Sequence, residues 1–233
     1  MFKKLAMFAV IIFFSSVILR AQTGEEILDK AIEAVGGYEA MKETKTTSAV
    51  MSMSIQGMDL RMTVYNKKPA FRSETDMMGQ KMVMVFDGKT GWMSNPGAGG
   101  VQEIPQEQIN QMREQAEMTD NQLVKYRETG AKIEKQGKEK VDGNTCFKLL
   151  MTDKNNETIT AYIDANDYLL KKIDKADKEA NVEILLKDYK KVGKVMVAYL
   201  YVIKAQGMDM ELKMEKFEIN PKLDDSLFIK PSN

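Results

Sequence analysis

From residue 46 onward, apolar and polar residues alternate, and alternation with period two marks strands whose two faces meet different surroundings. Met51-Ser-Met53-Ser-Ile55 is followed by Gln56-Gly57 and then by Met58-Asp-Leu60-Arg-Met62-Thr-Val64. A Gln-Gly pair between two such runs predicts a two-residue hairpin turn. That turn fixes the register: Ile55 opposite Met58, Met53 opposite Leu60, Met51 opposite Met62, Ala49 opposite Val64. All eight side chains then share one face, and Ser, Asp, Arg and Thr take the other. The pattern returns near the C-terminus, where Tyr199, Tyr201, Ile203 and Ala205 precede Gln206-Gly207, and Met208, Met210, Leu212 and Met214 follow it. The Gln-Gly-Met-Asp string common to both hairpins is too short to establish a repeat. A third segment, Met82-Val-Met84-Val-Phe86, is apolar on both faces.

Two stretches carry helical spacing instead. Thr23-Gly-Glu-Glu26 is a capping box, and Ile27, Leu28, Ala31, Ile32 and Val35 behind it recur every three or four residues. Gly36-Gly37 supplies the left-handed stop, and Tyr38 to Lys42 predicts one further turn. Pro105 opens a second helix, with Ile109, Met112 and Ala116 on one face, reaching to Met118. Further strands are expected at Phe71 to Asp76, Lys132 to Lys138, Thr145 to Met151, Thr158 to Asp164, Leu169 to Asp174 and Val182 to Tyr189. Asn95 to Gly100 reads as a loop, and strands resume after Tyr126. This predicts about ten strands and two main helices. No linker divides them, so residues 22–233 are read as one domain.

The N-terminus changes the picture of where the chain works. Lys3-Lys4, an apolar run from Leu5 to Leu19 and Arg20-Ala21-Gln22 have the layout of a secretory signal peptide, residues 1–21, cut after Ala21. The run is short for a membrane span, although a retained anchor is the alternative. No cysteine stands at the junction to be lipidated. Without Lys3, Lys4 and Arg20 the remaining 212 residues hold 31 basic against 34 acidic side chains, a net of −3. That balance offers nothing to nucleic acid. The single Cys146 has no internal disulfide partner, and it lies in an apolar strand as an inert thiol.

The chain has no histidine, which removes the commonest general base and the commonest zinc ligand. Asp224-Asp225 lacks metal-loop spacing. Asn156-Glu-Thr158 matches a glycosylation acceptor, an idle pattern on a bacterial export route. We expect no enzyme activity, no metal and no cofactor.

Lys67-Lys68-Pro69-Ala-Phe71, and then Phe86-Asp87-Gly88-Lys89-Thr90-Gly91-Trp92-Met-Ser-Asn95-Pro96, resemble segments of the LolA/LolB-like outer-membrane lipoprotein-sorting proteins and their Bacteroidetes-type relatives. The helix ending at Gly36-Gly37, the Tyr162-Ile-Asp164 strand and the Asp188-Tyr189 pair are similar too, so the resemblance spans most of residues 22–233. It implies a mainly β (α+β) fold: an open, strongly curved antiparallel sheet, an incomplete barrel, with helices covering its concave face. It also implies a soluble, unlipidated periplasmic protein that holds lipid or lipoprotein acyl chains and exchanges them with inner- and outer-membrane sorting components. Lys68 stands where such carriers use an arginine latch, and lysine lacks the planar fork of that group. The segment before Phe71 is one residue short, and the relatives' prolines near Leu170 and Ala198 are absent.

The chemistry of the methionines bears on this. The chain holds 19 of them, and methionine is unbranched, polarizable and able to repack around differing partners. A methionine stripe is also what ordinary core beneath helices looks like. We place Met51, Met53, Ile55, Met58, Leu60, Met62, Met82, Met84, Phe86 and Trp92 in a lipid-binding cavity, with Lys68 and Phe71 at its rim or latch. Trp92 has two readings, a cap on the cavity mouth or a core tryptophan. The opening helix, through Ile27, Leu28, Ala31 and Ile32, and the Pro105 helix are the expected lid. The alternative is an envelope sensor or interaction domain of the same fold that binds a protein partner. A carboxylate-based hydrolase would need two acids facing each other in a cleft.

Overall fold

The computed structural model describes residues 22–55, 58–77, 79–95, 99–110, 122–176 and 181–231. The expected signal peptide, both turn residues of the first hairpin, and Met112, Ala116 and Met118 lie outside the described residues. Among the described residues, no helix is long and apolar enough to cross a membrane.

Thirteen antiparallel strands form one open sheet in two meanders. The first contains β1 (Thr46–Ile55), β2 (Met58–Lys67), β3 (Ala70–Met77), β4 (Gln80–Phe86), β5 (Gly91–Asn95) and β6 (Gly100–Ile104). The second contains β7 (Lys132–Val141), β8 (Asn144–Thr152), β9 (Thr158–Asp164), β10 (Leu170–Ala176), β11 (Asn181–Val192), β12 (Val195–Ala205) and β13 (Met208–Ile219). Pairing of β1 with β13 joins them, so the order runs from β6 down to β1, then from β13 down to β7. The sheet does not close into a barrel; β6 and β7 are its edges.

The hairpin registers follow from the turns. Ile55 pairs with Met58, Met53 with Leu60, Met51 with Met62 and Ala49 with Val64, as the two-residue spacing dictates. In the second hairpin Gln206 and Gly207 both have positive φ, 51° and 76°, the primed turn whose twist suits a hairpin.

Helix α1 (Gly24–Ala34) begins with the complete capping box: Thr23 accepts from the Glu26 backbone, and Glu26 accepts from that of Thr23. It is followed by α2 (Gly37–Glu43), α3 (residues 106–110) and α4 (Gln122–Glu128). Ile27, Leu28, Ala31 and Ile32 are completely buried against Leu149, Met151, Ala161, Ile163 and Leu186 of the second meander, with Leu123 and Val124 of α4. Burial of each large aliphatic side chain there contributes about 1.5–3 kcal/mol. The opening helix therefore seals β8 to β12 rather than arching over the methionine hairpin of β1 and β2.

A second, smaller cluster joins Phe71, Phe86, Ile104 and Ile109, packing α3 on the first meander. The face carrying both clusters is the inner face. Three elements depart from expectation. The residues between the Asn95–Gly100 loop and Pro105, where no strand was expected, form β6, α4 precedes the return to strands, and strands number thirteen rather than about ten.

Candidate functional site

Register places the methionines in rows across the inner face. One row runs Met82, Thr75, Met62, Met51, Met214, each the direct partner of the next. A second runs Met93, Met84, Ser73, Val64, Ala49, Phe217. A third links Leu60, Met53, Leu212 and Tyr201. The two methionine hairpins thus lie side by side, and a bulge between Val50 and Met51 keeps Met214 and Phe217 on the same face.

Met51, Met53, Leu60, Met62, Met82, Met84, Met210, Leu212 and Met214 are all half-buried, and Met93 is 37% exposed. The zero exposure of Ile27, Leu28 and Ile32 under α1 is the contrast. The strip across β13, β1, β2 and β4 is therefore a pliable apolar floor between two packed clusters. Ser73 and Thr75 add hydroxyl-bearing side chains to it. Backbone register makes Ile55 and Met58 partners at its end.

Not every expected residue joins it. Phe86 is 1% exposed and Phe71 8%, with ring centroids 5.7 Å apart. They pack beneath α3, so Phe71 belongs to a core cluster and not to a rim. Trp92 pairs with Val85, whose side chain is on the opposite side from Met84 and Phe86; Trp92 accordingly faces outward. Lys68 is exposed in the β2–β3 turn, before a cis Lys68–Pro69 bond. Among the described residues it makes no latch contact. Met210, Leu212, Met214 and Met93 belong to the floor but were not in the expected set; for the first three the signal was the second hairpin's own alternation, and Met93 joins through its pairing with Met84.

The Asp87-Gly88-Lys89-Thr90-Gly91 segment is explained by packing. Asp87 Oδ1 accepts from the backbone N–H groups of Lys89 and Thr90, at 2.7 and 2.8 Å, closing the turn. Gly88 has φ 103°, and a Cβ there would come 2.9 Å from Pro69. A Cβ on Gly91 would meet Ile109 at 2.6 Å. That glycine lets α3 close on the strip's end.

The outer face carries a third buried cluster, Val141, Cys146, Tyr162 and Leu185, beside charged cross-strand pairs. Asp174 and Glu183 are cross-strand partners bridged by Lys172, at 3.0 and 3.4 Å, and they line a hollow of about 530 Å³ with Thr160, Lys204 and Asp209. This places two acids across a cleft, but Lys204 and then Lys172 hold the Glu183 carboxyl below its ordinary range. A glycosidase-type general acid needs the reverse shift. Cys146, also on this face, is fully buried; burial, and then Asp164, push its thiol up to about 11. Among the described residues no group of three metal-ligating side chains is assembled.

No family model matches the sequence, nor does any curated protein. Solved structures do. A DUF1329 family protein from Desulfovibrio piger matches 90% of this chain and 98% of its own, with TM-score 0.61 at 15% identity. A LolA superfamily protein from Nitrosomonas europaea matches 90% and 99%, with TM-score 0.57 at 12% identity. A structure described as an outer membrane lipoprotein-sorting protein domain, from Vibrio parahaemolyticus, matches 88% and 97%, with TM-score 0.54 at 16% identity. Thirteen strands left unclosed, with helices on the inner face, give this chain the fold that those LolA-superfamily and lipoprotein-sorting structures share.

Proposed function

We propose that this is an exported, periplasmic lipid-binding carrier that holds the acyl chains of a lipid or lipoprotein on the methionine floor. It would move them between inner- and outer-membrane sorting components. The observation that carries the reading is the half-buried inner strip, with Met51, Met53, Met62, Met82, Met84 and Met214 converging from four strands between two sealed clusters. An acyl chain moved through water exposes about 0.8 kcal/mol per methylene, so a long chain needs on the order of 10 kcal/mol of cover. A broad apolar floor supplies that cover, whereas a small patch does not. Release matters as well, and thioether side chains give contact without fixing one ligand shape. The likeness to lipoprotein-sorting structures supports the same reading at the level of fold.

The test is native mass spectrometry of protein purified from the cell envelope. The wild type is expected to carry lipid, and Met53→Asp with Met84→Asp is expected to arrive empty. Met53→Leu serves as the folding control. Protein that is empty in every preparation, yet captures a specific protein partner, overturns the carrier in favour of an interaction domain.

A further inference from the structure

The edge strand β7 divides its charges between its two faces. Strict alternation would send Lys135 and Lys138 to opposite sides. A bulge between them, with Gly137 at φ 110°, adds one residue, so Lys135 pairs with Leu149 and Lys138 with Phe147. Both lysines therefore reach the inner face. Glu134 and Glu139 go to the outer face, where they pair with Lys132 and Lys148, each at 3.0 Å.

On the inner side, the Lys135 and Lys138 ammonium groups stand 5.4 and 4.7 Å from the Phe147 ring centre. Lys30 of α1 stands 5.0 Å from the ring of Tyr168, which stacks on Phe147 with centroids 6.1 Å apart. Three cations share one pair of rings. Among the described residues, none of the three has a carboxylate within 4.0 Å. Neighbouring acids are engaged elsewhere: Asp29 with Arg127 at 2.8 Å, Asp167 with Lys171 at 2.9 Å, Glu26 with the Thr23 backbone at 3.0 Å. A hydrogen bond from Gln22, together with Lys30 and Lys138, holds the Tyr168 hydroxyl below its ordinary pKa.

The described chain also starts here. The Gln22 carbonyl accepts from Lys135 Nζ at 3.0 Å, and its side-chain amide donates to Tyr168 at 3.2 Å.

We propose that Lys30, Lys135 and Lys138, set over Phe147 and Tyr168, form a docking surface for an anionic phospholipid membrane. Charge complementarity selects the partner: acidic head groups supply the counter-charge that the fold directs to the other side of β7. Each lysine close to an anionic surface strengthens binding roughly fivefold, and salt weakens it within a Debye length. The whole chain has as many acids as bases, so the attraction is local. This surface lies at the sheet edge remote from the methionine floor, and the proposal stands whether or not that floor holds lipid.

The test is co-sedimentation of the exported protein with vesicles of phosphatidylglycerol and phosphatidylethanolamine, against vesicles of phosphatidylcholine alone, at low and high salt. The expected result is preference for the anionic vesicles, abolished by high salt and reduced roughly tenfold to thirtyfold by Lys135→Gln with Lys138→Gln. Lys213→Gln with Lys216→Gln removes the same charge from the outer face and is expected to change nothing. Equal binding to both vesicle types, or equal loss in the two double variants, overturns the proposal. So does an absence of vesicle binding when soluble polyglutamate or inorganic phosphate is bound instead. Met53→Asp is expected to keep vesicle docking while losing co-purified lipid, which separates failure of this surface from failure of the floor.

Discussion

Met51 and Met214, 163 positions apart in sequence, are direct cross-strand partners on the inner face. Through this pair, and Met53 opposite Leu212, two hairpins that share a Gln-Gly pair in sequence become one apolar surface. Substituting both as Met51→Leu with Met214→Leu keeps volume and apolarity, so stability should change by less than about 1.5 kcal/mol. Leucine is branched and less able to repack. The variant should therefore keep its denaturation midpoint while the range of co-purified acyl chains narrows, as read by lipid mass spectrometry.

The contact between Gly91 and Ile109 governs how α3 meets the floor. A Cβ at Gly91 would stand 2.6 Å from Ile109 Cδ1 and 2.9 Å from its Cγ1. Gly91→Ala should displace α3 from Phe71 and Phe86, at a cost of about 1–3 kcal/mol for overpacking. Hydrogen exchange at residues 106–110 should quicken while α1 stays protected. Pairing the change with Ile109→Ala removes the clash, so the exchange pattern should then match that of Ile109→Ala alone.

The first hairpin was readable from sequence because two-residue turns leave no freedom of register: all four expected backbone pairs, Ile55–Met58 to Ala49–Val64, occur. The capping box of α1 was equally local and equally readable. What α1 covers was not, since Ile27 and Leu28 have the same periodicity whichever meander they pack against. Pairing of β1 with β13 links distant segments, and nothing in Met51 or Met214 alone announces it. Trp92 was misplaced for a related reason. Its face depends on the register of β4 with β5, which the Asp87-Gly88 turn sets through hydrogen bonds from the Lys89 and Thr90 N–H groups to the Asp87 carboxylate that an apolar count does not see. Ser73 and Thr75 went unnoticed because an isolated hydroxyl residue on a strand reads the same on either face.

Cys146 makes the fold sensitive to alkali. Its thiol is pushed up to about 11 by burial first and by Asp164 second, so the folded protein keeps a proton that the unfolded chain gives up at a lower pH. That contribution to stability is complete below the unfolded thiol pKa and is lost as pH rises towards the folded value. Tyr126, raised to about 12 mainly by burial, acts in the same direction further up. Denaturation midpoints should fall through this alkaline window, with a shallower fall in Cys146→Ala. Iodoacetamide at mildly alkaline pH should label denatured but not native protein.

Arg72 ties the C-terminal turn, Asp225–Phe228, to the outer face. Its Nη1 donates to the Leu227 carbonyl at 3.1 Å, and its Nε donates to Glu74 at 2.6 Å; Lys67 pairs with Asp225 nearby. Burial raises the Glu74 carboxyl, but hydrogen bonds from Lys81 and Arg72 outweigh it and hold the group below its ordinary value. The sign follows: this stabilisation is present above the unfolded carboxylate pKa and is lost as pH falls through the lowered folded one. Glu74→Gln should cost about 1–3 kcal/mol at neutral pH and flatten the acid side of the stability profile. Arg72→Met should in addition free the Leu227 carbonyl and loosen buried Phe228, so that proteases cut near Asp224 under native conditions. Wild-type resistance to cutting in that variant would show that Phe228 holds the turn without the arginine.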